Sequence, residues 1–315
     1  MEIVIENKRG KLKQLIGYKD YMLLFIANFI SRFGDSIDAI AYSFMVYELT
    51  GSKLLMGTLF AVNAIPNIVL SPFAGVIADR FNKKRLITIG YLGRGIMVSI
   101  TALMLSIGIL QPWHLFIITL INSTFETLVS PATMSILPLL IKEEVYLIAN
   151  SFSNSAFKFA ELLGTAMAGV LIGFIGTSGA IFVDGATFFI AVLLISFMKV
   201  RGDKVSKEKI EVKAYINDLK EGFIFVKNSY LIRTVLMLFA LINFCLSPIN
   251  VLMPAFVSET LQADASVLSL IESAIIIGII LGGFAVASIG TKIKNHTLMS
   301  WGIILFGVSY SLFYF

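Results

Sequence analysis

Residues 74–87 read AGVIADRFNKKRLI, in which one carboxylate, Asp79, is followed by Arg80, Lys83, Lys84 and Arg85. Apolar runs flank this cluster on both sides. A soluble surface helix scatters such charges along one face; here they are concentrated at a turn between two greasy segments. Of the 315 residues, 57% are hydrophobic and 14% charged, with a mean hydropathy of +0.88. A soluble domain carries about 25% charged residues. Apolar stretches of about twenty residues recur along the whole chain, the length a helix needs to cross a bilayer. The period-two alternation of a membrane β-barrel is absent. Composition and periodicity therefore predict an all-α membrane protein.

Nine spans are predicted, at 21–47, 54–78, 86–108, 113–140, 146–175, 178–199, 231–257, 266–289 and 297–315. Lysines and arginines then fall in alternate loops. Five precede the first span and four follow the second. Lys142 follows the fourth, nine lie between Lys199 and Arg233, and Lys292 and Lys294 follow the eighth, so these loops hold 21 of the 25. The opposite loops hold only Lys53. By the positive-inside rule the N-terminus is cytoplasmic. The net charge of +5 is thereby assigned to topology and to the lipid bilayer, not to nucleic acid.

The long polar stretch divides the chain into a six-helix transmembrane half (1–198), a cytoplasmic linker (199–229) and a three-span portion of a second half (230–315). Within the linker region, DLKEGFIFVKNSYLI (218–232) has the pattern of an amphipathic helix lying on the membrane face. Asn28-Phe29 in span one is echoed by Asn243-Phe244 in span seven, at the offset expected of parallel repeats. One cysteine, Cys245, excludes an internal disulfide framework, and His114 and His296 are too far apart in sequence to suggest a metal cluster. Gly51-Ser52-Lys53 lacks the first glycine of a phosphate loop. No nucleophile–base or metal-spaced constellation suggests an enzyme, and no cofactor is expected.

Charges at mid-membrane cost roughly 2.5–3.5 kcal/mol each on insertion scales, so they face a cavity or a partner. On span one Asn28, Ser31, Arg32, Asp35, Ser36, Asp38, Tyr42 and Ser43 share an arc about 160° wide. Span four gathers Thr119, Asn122, Ser123, Ser130 and Thr133 around Glu126, and span five places Lys158 and Glu161 on one polar stripe. The bland alternative makes Arg32–Asp35 and Lys158–Glu161 structural ion pairs at i,i+3. Arg94, in span three, and Asp184, assigned to the outer part of span six, are weaker candidates. Two cations, Arg32 and Lys158, do not neutralise Asp35, Asp38, Glu126 and Glu161. The surplus is to be met by protons or by a cationic solute.

The motif Gly75-x-x-x-Asp79-Arg80-x-Asn82-Lys83-Lys84 resembles the signature loop between helices two and three of the major facilitator superfamily. Asn82 stands where that pattern has glycine, a departure attributed to the tolerance of Asn for left-handed backbone. NFISRFGDSI (28–37), ANSFSNSAFKFAELLG (149–164) and IFVDGATFF (181–189) resemble the macrolide-efflux and siderophore-export branch. The resemblance implies a helical bundle of two six-helix halves, with Gly75, Asp79, Arg80, Lys83 and Lys84 as gating residues. In the family the Asp79 carboxylate helps latch the halves against helix eleven. The bases beside it have a plainer role, next to anionic headgroups.

Ending at Phe315, the sequence reads as an incomplete product of the twelve-helix plan, with a genuine nine-span protein as the alternative. The leading functional expectation is proton-coupled efflux of amphiphilic drugs such as macrolides by a monomer in the cell membrane. Siderophore export and a non-transporting fragment are the competing readings.

Overall fold

The computed structural model describes residues 14–200, 220–221, 224–289 and 295–312. Among these the secondary structure is helical: α1 (Lys19–Thr50), α2 (Lys53–Arg80), α3 (Lys83–Ser106) and α4 (Pro112–Leu140), a single 3-10 turn at Glu143–Val145, and then the long run Tyr146–Ser196. That run is two helices, α5 (146–175) and α6 (177–196), broken at Gly176, whose φ of 74° and ψ of 171° leave the helical region. With about 1.5 Å of rise per residue, an unbroken 51-residue helix would be far longer than the ~30 Å bilayer core. A glycine at positive φ lets the chain reverse there. Helices α7 (Tyr230–Glu259), α8 (Ala265–Ile289) and α9 (Asn295–Leu312) follow. These nine helices match the nine predicted spans within a few residues. Most of the linker, residues 201–219 and 222–223, lies outside the described residues, whereas the amphipathic segment is helical where its linker part is described, at 220–221 and 224–228.

Turn chemistry fixes where the helices end. Gly51 adopts left-handed φ 57° and donates its N–H to the Tyr47 carbonyl, closing α1. The Ser52 hydroxyl then accepts from the Leu55 N–H and opens α2. The Gly-Ser-Lys that failed as a phosphate loop is thus a C-cap followed directly by an N-cap. Asn82 plays the second of these parts for α3. Its backbone is extended (φ −60°, ψ 115°) and its side chain accepts from the Arg85 N–H at 2.9 Å. The expected left-handed asparagine is therefore corrected: a capping side chain, not backbone tolerance, suits Asn to this loop.

The charged stretch is also put to structural use. Lys84 Nζ donates to the Ser196 and Met198 carbonyls at 2.8 and 2.6 Å, satisfying the C-terminal end of α6. Asp20 at the start of α1 accepts the Lys199 N–H at 2.8 Å. Two neighbouring elements thereby hold the end of α6 before the linker begins.

Helix α1 packs against the α5–α6 pair, as do α3 and α8, and α2 packs against α4. Small residues allow the close approaches, since in a bilayer helices associate through packing and not through expulsion from water. A Cβ on Gly164 would overlap the Phe33 carbonyl of α1, and one on Gly169 would lie 2.5 Å from Ser266 Cα of α8. Large side chains such as Leu54, Ile68, Phe174 and Leu231 point outward, more than 70% exposed, and face the lipid.

Gly164→Ala is expected to lower stability by about 1–3 kcal/mol, because the added methyl meets backbone that cannot yield. Gly173→Ala, where a Cβ meets no atom within 4 Å, should leave stability unchanged. Thermal unfolding in detergent separates the two.

Candidate functional site

Arg94, on α3 and only 8% exposed, is the hub. Its Nη2 donates to Asp35 Oδ1 of α1 at 2.7 Å and lies 4.0 Å from Glu126 Oε2 of α4. Its Nε donates to Asn122 Oδ1 at 3.4 Å, and the guanidinium sits 4.5 Å from the centroid of the Phe188 ring of α6. A buried cation needs this many partners, since any lost hydrogen bond leaves charge in a low dielectric. Tyr91, one turn before Arg94, donates to Asn28 Oδ1 and is approached by the Ser31 hydroxyl at 3.5 Å.

Asp184 lies behind the pair. It is 1% exposed and accepts from the Thr187 hydroxyl at 3.2 Å. Its carboxylate presses on Gly34, where a Cβ would overlap both Asp184 and Thr187. Helix α6 begins at residue 177, one residue from the predicted start, and Asp184 lies two turns in from that end, beside Gly34 of α1. Asp38 is one turn further along α1 than Asp35, and its Oδ1 is buried without a hydrogen-bond partner among the described residues.

A cavity of about 230 Å³ opens beside this cluster, lined by Asn28, Ser31, Arg32 and Asp35 of α1, Tyr91 and Arg94 of α3, Glu126, Val129, Ser130, Thr133 and Met134 of α4, and Phe157 of α5. A second, of about 310 Å³, is walled by Asn67, Ser71 and Ala74 of α2 with Glu126, Thr127, Ser130, Pro131 and Met134. Glu126, Ser130 and Met134 belong to both. Glu126 thus stands where the two spaces meet, half exposed at 51% of its side chain.

The sequence-predicted residues are brought together only in part. Arg32, Asp35 and Glu126 line one cavity, with Asp38 close by. Asp35 turns across to Arg94 and not back to Arg32, so the i,i+3 pair on α1 is not among the ion pairs of the described residues. Lys158 and Glu161 do pair with each other, at 2.8 Å with half-exposed side chains, and neither lines either cavity. In the loop motif, a Cβ on Gly75 would meet nothing within 4 Å, Arg80 ends α2, and Lys83 is buried at 9% exposure. The Asp79 side chain lies outside the described residues. The centrality of Arg94 and Asp184 was missed. Its trace in the sequence was small neighbours: Arg94 sits between Gly93 and Gly95, and Asp184 precedes Gly185, which let adjoining helices reach both charges.

Arg94→Ala should cost about 3–5 kcal/mol by leaving buried carboxylates unpaired, and adding Asp35→Ala should recover part of that loss. Arg32→Ala, at an exposed position, should cost far less. Unfolding curves of the two single variants and the double test this ordering.

Comparison with known proteins agrees with this architecture. The family model described as Major Facilitator Superfamily matches residues 24–315. The "Uncharacterized MFS-type transporter YfiS" of Bacillus subtilis is 28% identical over 231 residues, 72% of this chain and 54% of that protein. The chain therefore spans about half the length of that relative. "Macrolide efflux protein A" of Streptococcus pyogenes is 22% identical over 289 residues, 90% of this chain and 70% of the relative. "Multidrug efflux pump Tap" of Mycolicibacterium fortuitum is 21% identical over 315 residues, 98% and 74% respectively. With a family match across nearly its whole length and helices of membrane-spanning length and apolarity, this multi-pass membrane chain belongs to the Major Facilitator Superfamily, a family of transporters and not of enzymes.

Proposed function

We propose that the protein takes part in secondary active efflux of amphiphilic, cationic small molecules, macrolides among them, in exchange for protons. The observation that carries this reading is the charge balance at the Arg94 hub. One buried guanidinium meets Asp35, Glu126 and Asp184, whose fields all reach it, while Asp38 stands nearby with a buried, unpaired oxygen. Such an excess of carboxylate in a low dielectric is relieved by a bound proton or by a bound cation. Alternation between the two is what antiport requires. Relatives named for macrolide and multidrug efflux support the substrate class.

Cavity size refines the mode of binding. Drug-sized ligands occupy about 300–1,000 Å³, so the 230 Å³ space suits an ammonium group and its near neighbours. The apolar body would extend past Met134 into the adjoining space. Glu126, which faces both spaces, is the first carboxylate for the cation; Asp35 and Arg32 complete the pocket wall, with Asp38 one turn beyond Asp35. Lys158–Glu161 and the loop residues Gly75, Asp79, Arg80, Lys83 and Lys84 act away from this pocket, the loop in gating. An anionic siderophore fits less well, since Arg94 is already committed to carboxylates.

The protein operates as a monomer in the cell membrane with its N-terminus cytoplasmic. Residues 1–198 form the first half, 199–229 the linker and 230–315 part of the second. In inside-out vesicles carrying the protein, a pH gradient is expected to drive uptake of a labelled macrolide. Glu126→Gln and Asp38→Asn should each abolish that uptake with no loss of folded protein. Wild-type uptake in both single variants and in the double would remove these carboxylates from the mechanism.

A further inference from the structure

The last part of the chain meets the first six helices at one end only. In α7 the buried residues are Met253, Pro254, Ala255 and Val257, all in its final two turns. In α8 burial is confined to the first half, from Ala265 to Ile276, and residues 277–286 are exposed or nearly so. Both regions lie at the end of the bundle opposite the Asp79–Lys84 loop, because α7 ends and α8 begins there. At that same end Glu259, the last residue of α7, accepts from Lys53 Nζ at 2.6 Å and from the Tyr47 hydroxyl at 2.8 Å. Lys53 opens α2 and Tyr47 lies in the last turn of α1. Gly169 of α5 leaves room for the Ser266 backbone and the Ser269 hydroxyl of α8.

From this arrangement we infer that Tyr47, Lys53 and Glu259 form a releasable clasp that closes the bundle at the end away from the signature loop. Each feature of the site serves that role. The carboxylate takes one hydrogen bond from each of two helices of the first half, so a single residue of the second part bridges both. The Lys53 and Glu259 side chains are 51% and 45% exposed, which keeps the pair weak enough to open on a working cycle. A fully buried pair at this position would hold the bundle shut. Beneath the clasp lie the small-residue contacts of Gly169 with Ser266 and Ser269 and the buried apolar side chains Met253, Val257 and Leu268, which the clasp shields while it is closed. The clasp deepens the transporter reading, but its own test needs no solute, so the two fail separately.

The experiment uses the whole chain in cells and in inside-out vesicles, with Cys245→Ser removing the native thiol and Ser273→Cys as reporter. Ser273 is buried on α8, two turns below the clasp. An impermeant thiol reagent is applied to the membrane face that carries Lys53. Glu259→Lys and Lys53→Glu should each raise the labelling rate about two- to fivefold, the range that exposed ion pairs support. The exchanged double variant should return to the parent rate. Should the charge reversals fail to fold, Lys53→Cys with Glu259→Cys and an unmodified Ser273 provides a second measurement. A short bifunctional thiol reagent should then join the two positions within one chain, read as one linked peptide pair. Parent-rate labelling in both single variants, a double as fast as the singles, or no linked pair would overturn the clasp.

Discussion

A guanidinium buried among helices in a bilayer has few ways to be tolerated, and the bundle around Arg94 is arranged to supply them. Water cannot solvate it, so carboxylates and amide oxygens must come within hydrogen-bond distance. They come from different helices: Asp35 on α1, Asn122 and Glu126 on α4, with the Phe188 face from α6. Bringing four helices to one side chain demands close backbone approach. Glycine supplies this approach: Gly34 against Asp184 and Thr187, Gly90 and Gly93 against Val129 and Phe125, and Gly95 against Phe188. The polar hub and the small-residue contacts are one design, since neither is feasible without the other.

This dependence also ties the site to its scaffold. A buried ion pair is weak support for stability, because desolvation offsets much of the attraction. Its value here is specificity of register. Any rotation of α1 by one residue would carry Asp35 away from Arg94. The ends of the helices reinforce that register through ordinary capping: Gly51 and Ser52 outside, and Asn82 and the Lys84 amine at the signature loop. The cluster of bases that first marked the sequence therefore does more than sit among headgroups. One of its lysines ties α3 to the end of α6.

The two ends of the bundle differ in kind. Near the signature loop, the ties run within the first six helices, through Lys84 and Asp20. At the opposite end the first six helices meet α7 and α8, through Glu259 and the Gly169 contact. Both cavities are lined by helices of the first six alone, so the candidate site belongs to the more firmly tied part of the bundle.

Which parts of this were legible in the sequence follows from the range of the forces involved. The spans, the break between the fifth and the sixth, and the helical bundle rest on hydropathy and local backbone preference, both properties of neighbouring residues, and they were readable without coordinates. The polar faces of α1 and α4 were readable for the same reason, since helical periodicity is local. Partner choice was not. Asp35 was as free to pair with Arg32 on its own helix as with Arg94 on another, and only tertiary packing decided for Arg94. Asp184 looked peripheral because its position along α6 does not reveal which helix packs beside it, and only the packing sets it against Gly34 of α1. Asn82 was assigned the wrong virtue because a cap and a left-handed residue draw on the same side chain, and the backbone angle decides between them. The sequence by itself determined the helices and the polar stripe each one carries; the tertiary structure alone decided which stripes face one another, because electrostatic pairing in a low dielectric is settled by distance across helices and not by spacing along one.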